Sequence, residues 1–325
     1  METNKKLYPG IDILKLVCAM LVLFMHTYCY DAGQIGMAIK AVTNIGVPFF
    51  FIASGFFYEK GLDRAEDKRA YFIRYFKRIL WMYVIWTVLS LPAYIYDLLV
   101  TKPELGPVML ILYLVRAFFL TGSMGVYWYL LSILYISVVL YFVYGHPQLT
   151  VPLYVVSVLL FIVGVIYAGG FLNDNLIGIA IHVIFGSERN FLTVGLFYMC
   201  IGWFLARRPL KLLPMPILLC LLAVGIGSIV AEYFFLPISF CHSFTAVILF
   251  LIGIEWDCPL KPETSTRIRS LSTGIYLLHF PFIIAFDLYL KNGSLIDIPL
   301  TLAFCLVVYS LAQLLPEKVR KLVFG

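Results

Sequence analysis

The chain has 325 residues, of which 62% are hydrophobic and 13% charged, and a mean hydropathy of +0.96. A water-soluble domain of this length carries roughly a quarter charged residues, so a soluble globular fold is excluded and an all-α, polytopic membrane protein is expected. The net charge of +6 follows from the sidedness of the basic residues described below and calls for no nucleic-acid partner.

Apolar stretches of about 20 residues, the length that crosses a bilayer as a helix, occur at 11–30, 41–58, 79–100, 126–144, 151–170, 191–206, 212–231, 239–254, 271–290 and 297–315. They predict a transmembrane helical bundle of about ten helices. The first stretch is too long for a removable signal peptide and lacks a small-residue cleavage site, so it is expected to stay in the mature protein. With the N-terminus inside, the inner segments hold eighteen Lys and Arg and the outer segments five, namely Lys40, Lys102, Arg116, Arg189 and Lys291. Cytoplasmic loops are enriched in both residues, which predicts cytoplasmic N- and C-termini in a multi-pass protein of the cell membrane, with a bacterial cytoplasmic membrane as the expected bilayer. No repeat or soluble segment interrupts the pattern, so residues 1–325 read as a single membrane-embedded domain. Seven cysteines, at 18, 29, 200, 220, 241, 258 and 305, show no metal-ligand spacing; they read as packing thiols, and no metal is expected.

In the first helix Lys15 and His26 are separated by ten residues that are apolar apart from Cys18. Eleven helical positions advance the chain by about 16 Å and turn it through three revolutions plus about 20°, so the two side chains share a face with Asp12 and Val22. Asp12 is spaced for an intrahelical ion pair with Lys15. Ionisable groups inside a bilayer tend to line a functional path; a snorkelling Lys and a His bonded to a neighbouring helix would show the same pattern. In the second helix Pro48 and Ser54-Gly55 weaken the backbone ladder, which suits a helix lining a cavity and also suits close packing through small residues.

The inner loop then ends in a basic run. Arg69 precedes Arg74, Lys77 and Arg78, whose spacing puts the last three on one face of the third helix. Guanidinium groups match phosphate oxygens, while attraction to anionic headgroups is the commoner cause of such a cluster. Tyr127-Trp128-Tyr129 opens the fourth helix at the expected outer interface, where aromatic belts occur. Arg189-Asn190 opens the sixth helix after an outer loop holding Asp174, His182 and Glu188. Such groups can hold a sugar, or anchor to headgroups. In the ninth helix Ser272, Tyr276 and His279, at steps of four and three, share a face. His146 and His242 receive no role.

Taken in order, these segments resemble the acyltransferase 3 family of integral membrane acyltransferases. The resemblance is carried by Lys15 to His26, Phe49 to Gly55, Arg74 to Arg78, Tyr127 to Leu130, Arg189-Asn190 and Tyr276 to His279. It implies transfer of an acyl group, usually acetyl, from cytoplasmic acetyl-CoA to a hydroxyl of an extracytoplasmic glycan or similar surface acceptor. By the same resemblance His26 would be the catalytic residue and Lys15 its partner, Arg74, Lys77 and Arg78 would hold the CoA phosphates, and Trp128, Arg189, Asn190, Tyr276 and His279 would face the acceptor. Lys15 stands where Arg is frequent in the family, and no acidic residue accompanies His242, which leaves Glu232 and Tyr233 as acceptor-side candidates. An imidazole with a pKa of about 6.5 suits a general base; a covalent acyl-histidine relay and direct general-base transfer both stay open. The chain is also similar to the membrane domain of vancomycin-resistance serine racemases, through Gly10-Ile11-Asp12, Val47 to Gly55 and Arg189 to Gly202. No fused racemase or hydrolase-type domain is expected here. That similarity supplies the alternative, a transport module for L-serine or another small solute.

Overall fold

The computed structural model describes residues 7–27, 33–208, 212–236, 240–290 and 297–324; Lys5, Lys6, Cys29, Lys211 and Lys291 lie outside the described residues. Fourteen α-helices follow in order: α1 (Pro9–Thr27), α2 (Gly33–Thr43), α3 (Gly46–Arg64), α4 (Lys68–Thr101), α5 (Pro107–Arg116), α6 (Trp128–Gly145), α7 (Thr150–Ala168), α8 (Leu176–Phe185), α9 (Leu196–Arg207), α10 (Met215–Phe235), α11 (Cys241–Glu255), α12 (Pro262–Leu290), α13 (Asp297–Ala312) and α14 (Glu317–Phe324). Among the described residues, eight helical stretches are long and apolar enough to cross a membrane, and four shorter apolar helices accompany them. The protein is therefore an all-α, multi-pass membrane bundle, and each of the ten expected segments is mainly helical in its described part.

One stretch departs from the sequence reading. Residues 107–125, expected as an outer loop, form α5, a π-turn (Ala117–Thr121) and a 3-10 turn (Ser123–Gly125). The second half of this stretch lies inside the bundle, beside the middle of α4. Tyr83 Oη donates to the Phe118 carbonyl at 2.7 Å, Ser123 Oγ donates to Thr87 Oγ1 at 3.3 Å, and the hydroxyls of Ser90 and Tyr127 are 2.8 Å apart. The chain turns at Gly122, whose φ of 72° lies in the left-handed region and whose missing side chain leaves room for the Trp128 backbone. Consequently Tyr127, Trp128 and Tyr129 are buried within the bundle, which corrects the expected place of Trp128 at the outer interface.

Lipid tails are as apolar as the side chains that face them, so helices in a bilayer associate by close packing and internal hydrogen bonds. The α3–α9 crossing shows the first. A Cβ on Gly55 would run into the Met199 carbonyl, and one on Gly202 into the Ile52 carbonyl, so each helix presents a glycine to the other's backbone. One helical turn nearer the end of α3, buried Glu59 accepts a hydrogen bond from Trp203 Nε1 and one of 2.7 Å from Arg207 Nε. The Arg207 guanidinium also stacks 3.7 Å from the centre of the Trp203 ring, so a buried charge is paired and its cation is covered.

Helices α1 and α12 show the second. The Asp12 carboxylate accepts from Ser265 Oγ at 2.5 Å and from Arg269 Nε and Nη2 at 3.2 Å each. Ser272 Oγ donates to the Lys15 carbonyl at 2.8 Å, and the rings of His26 and His279 lie 5.4 Å apart. Positions rise together along both helices, so α1 and α12 run side by side in the same direction. Asp12 is thus paired across helices with Arg269, and the expected intrahelical pair with Lys15 is replaced. A neighbouring helix offered a bidentate guanidinium, a better match to a carboxylate than one flexible ammonium.

Candidate active site

A cavity of about 1400 Å³ opens where basic residues from several of the expected inner segments converge. Its rim holds Arg64 from α3, Arg74 and Arg78 from α4, Arg267 and Arg269 from α12, and Arg320 and Lys321 from α14, with Lys15 of α1 further in. The lining carboxylate is Asp12, already paired with Arg269. Eight cations facing one neutralised acid make a strong anion trap, because low-dielectric walls concentrate the field of like charges lining a cleft. Guanidiniums dominate the rim, and their fork matches phosphate oxygens.

Past Lys15 the lining becomes aromatic and apolar, with Phe50, Tyr129, Tyr276 and Leu277. Ser54 also faces the cavity, where its hydroxyl lies 2.8 Å from that of Tyr129. The weakened stretch of the second predicted helix therefore serves both open readings: Ser54 lines a cavity while Gly55 packs on α9. Tyr276 is held by donation of its hydroxyl to the Val126 carbonyl at 2.6 Å. Lys15 makes no salt bridge among the described residues, and its ammonium sits 4.5 Å from the centre of the Phe57 ring. It is thus a cation at the neck, available to an anion or a polarised carbonyl.

Tyr276 separates this cavity from the histidines. Its ring lies 5.9 Å from that of His279, which in turn faces His26, and the His26 ring packs edge-on against Phe280 at 5.0 Å. His279 is fully buried, with Nδ1 2.7 Å from the Tyr276 carbonyl and 3.2 Å from that of Ile275. A carbonyl accepts only, so Nδ1 carries the hydrogen and Nε2 keeps a lone pair. Nε2 is buried and has no hydrogen-bond partner among the described residues. An unmet buried acceptor costs free energy, and a fixed tautomer with a free lone pair is what a general base requires.

The remaining residues singled out in the sequence lie elsewhere. Lys77 is exposed and falls outside the cavity lining that takes in Arg74 and Arg78, so the three do not act as one face. Trp128 packs on Phe51 with ring centres 5.5 Å apart. Arg189 is exposed beside Glu188 at 3.5 Å. Asn190 spends its side chain as a helix cap: Oδ1 accepts from the backbone of Leu192 and Thr193, and Nδ2 donates to the carbonyls of Ser187 and Glu188. Glu232, at the end of α10, accepts from the backbone nitrogens of Phe240 and Cys241 and so caps the start of α11. The structure thus gathers Lys15, Arg74, Arg78 and Tyr276 on one cavity with His26 and His279 behind it, while Lys77, Trp128, Arg189, Asn190 and Glu232 stand apart. The sequence reading marks the stretches of Ser54 and Tyr129 without placing them at one neck, and gives no site role to Arg64, Arg267, Arg269, Arg320 and Lys321 at the rim. The signal for the last five was present, since all had been counted as inner-side charge.

Comparison with known proteins agrees with this architecture. An amino-acid racemase of Enterococcus faecalis is 27% identical over 351 aligned positions, which cover 96% of this chain and 46% of the relative. A further amino-acid racemase of that organism is 30% identical over 98 positions, covering 29% of this chain and 13% of the relative. The chain thus spans less than half the length of the curated relatives it matches. No solved structure matches. The sequence profile described as an acyltransferase domain, that of the acyltransferase 3 family, matches residues 8–315, a span that takes in α1 to α13, the whole neck and both histidines, and the chain belongs to that family.

Proposed function

We propose that the protein takes an acyl group, acetyl in the simplest case, from a cytoplasmic acyl-CoA and transfers it to a hydroxyl of an extracytoplasmic glycan or similar surface acceptor. The supporting observation is a cavity whose rim is cationic and whose neck is aromatic, leading toward the paired rings of His26 and the buried His279. That gradient fits a donor with a polyanionic head and a slender thioester arm. Arg74 and Arg78 would hold phosphate at the rim, and Lys15 would face the thioester carbonyl at the neck. His26, with His279 and its free Nε2 beside it, would accept the acceptor's proton. In the transfer the acceptor O–H and donor C–S bonds break, the acyl C–O bond forms, and the proton released through histidine ends on the departing thiolate. The polarity of the bundle, with the basic end on the cytoplasmic side of a bacterial membrane, belongs to the same reading.

The experiment is transfer or hydrolysis of labelled acetyl-CoA by purified protein, with loss of surface ester-linked acetyl groups on gene deletion as the cellular counterpart. His26→Ala is expected to abolish transfer, and Arg74→Ala and Arg78→Ala to raise the KM for the donor. The racemase similarity, which covers nearly the whole chain, favours a second reading in which the bundle passes L-serine or another small solute. Serine uptake dependent on the protein, with no CoA binding, would decide for it.

A further inference from the structure

The donor cavity has one wall outside the family match, which ends at residue 315. That wall is α14. Its residues Arg320, Lys321 and Phe324, spaced by one, three and four, share a helical face, and all three line the cavity. Phe324 is buried against Trp86 of α4 and Tyr309 of α13, with ring centres 5.9 and 5.6 Å away. Trp86 Nε1 also donates to the Val323 carbonyl at 2.8 Å. The helix is therefore docked at its far end by an aromatic clamp and a backbone hydrogen bond, which fixes where the two cations one turn earlier must sit.

The two charges sit differently on the cavity: Arg320 turns inward, while Lys321 lies exposed at its mouth. An amphipathic helix resting on a membrane buries its apolar residues in lipid and turns its cations to the headgroups. Here Phe324 is buried in protein and Arg320 beside it is half-buried, while Val319 and Leu322 turn outward at 41% and 38% exposure. Arg320 makes no salt bridge among the described residues, and Lys321 is held by Glu317 at 2.5 Å, which leaves further ammonium donors free. We infer that α14 is part of the donor site, with Arg320 and Lys321 binding phosphate groups of the acyl donor from a position set by the docking of Phe324. This rests on the reading of the cavity as a CoA site and adds ligands that neither the sequence motifs nor the family match contains.

The test measures dissociation constants for CoA and for pantetheine, the phosphate-free part of CoA, using full-length protein in phosphatidylcholine nanodiscs. The double variant Arg320→Gln/Lys321→Gln is expected to weaken CoA binding about tenfold or more, by analogy with the loss of charge-assisted hydrogen bonds, and to leave pantetheine binding unchanged. Phe324→Ala, which keeps both cations but frees the helix, is expected to weaken CoA binding as well, and Phe324→Leu to restore most of it. Wild-type CoA affinity in the double variant overturns the inference, as does an equal loss for CoA and pantetheine, which reports damage to the fold. If the two cations serve lipid headgroups, the double variant keeps its CoA affinity and loses only a preference for discs containing phosphatidylglycerol; that result also overturns it. Wild-type protein that binds no CoA brings down the proposed function and this inference together, whereas CoA binding sensitive to Arg74→Gln but not to the α14 variants leaves the function standing and removes the inference alone.

Discussion

Replacement of Asp12 by alanine should be among the most damaging single changes in α1. The carboxylate is nearly fully buried and accepts three hydrogen bonds, two of them from one guanidinium. Its removal leaves Ser265, itself fully buried, without that acceptor, and leaves Arg269 without its counter-charge. Breaking a buried pair by deleting one partner typically costs 3–5 kcal/mol. The Arg269 side chain is 42% exposed, so water recovers part of that loss, and about 3 kcal/mol is expected. Arg269→Ala should cost about 2 kcal/mol, because the carboxylate keeps Ser265 but becomes an uncompensated buried charge. If the pair is the common cause, the double variant should be no worse than Asp12→Ala, giving a coupling energy of about 2 kcal/mol. Unfolding free energies from detergent titration in bicelles would supply the four corners of the cycle. Donor-dependent transfer should fall in each single variant by up to about 100-fold, since the pair sets the register of the helices that carry His26 and His279. A coupling below about 0.5 kcal/mol would refute the argument that α1 and α12 are aligned through this pair.

Three further outcomes follow from the geometry. Gly202→Ala should destabilise the bundle by about 3 kcal/mol, because its new Cβ meets Ile52 and Phe56 backbone atoms that cannot rotate away; a variant with unchanged thermal stability contradicts the close crossing. His279→Ala should lower the transfer rate by about 10² to 10⁴ while leaving the CoA dissociation constant unaltered, since the ring lies behind Tyr276 and outside the cavity lining; weaker CoA binding would move His279 into the donor site. Asn190→Ala should cost about 1 kcal/mol of stability through the lost cap, with kcat/KM of the folded fraction within a factor of about two; a selective rise in acceptor KM would instead give Asn190 the acceptor role that the family resemblance implied.

Hydropathy sufficed for the bundle because crossing a bilayer imposes one long apolar run per helix, and such runs need no partner to be recognised. Residues 107–125 are apolar enough for a span as well, but Arg116 interrupts the run and Gly122 reverses the chain, so the reading places an outer loop where the structure has a helix. Helical spacing placed Lys15, His26, Tyr276 and His279 on their own faces, but it is blind to which helices meet. Asp12 shows the consequence: its nearest cation along the chain is Lys15, yet a guanidinium 257 positions away holds it. Lys77 shows the converse, for sharing a sequence cluster with Arg74 and Arg78 did not bring it to the cavity. Asn190 and Glu232 were legible as polar residues near helix ends, and their capping of exposed backbone nitrogens is the ordinary use of such residues. The rim cations from α12 and α14 were visible only as net charge, because their convergence is a property of tertiary structure.

The reciprocal glycines of α3 and α9 divide the bundle mechanically. Two helices whose backbones touch, and which are further tied by the buried Glu59–Arg207 pair, behave as one stiff beam that cannot bend at its crossing without steric conflict. The cavity wall formed by α14 is held more lightly: among the described residues it leans on α4 and α13 through aromatic contacts and an indole hydrogen bond. Where a bulky ligand needs a wall of the cavity to give way, the compliance lies at α14. Motion in this protein is therefore expected to be hinged against a fixed spine, with α14 as the part that yields.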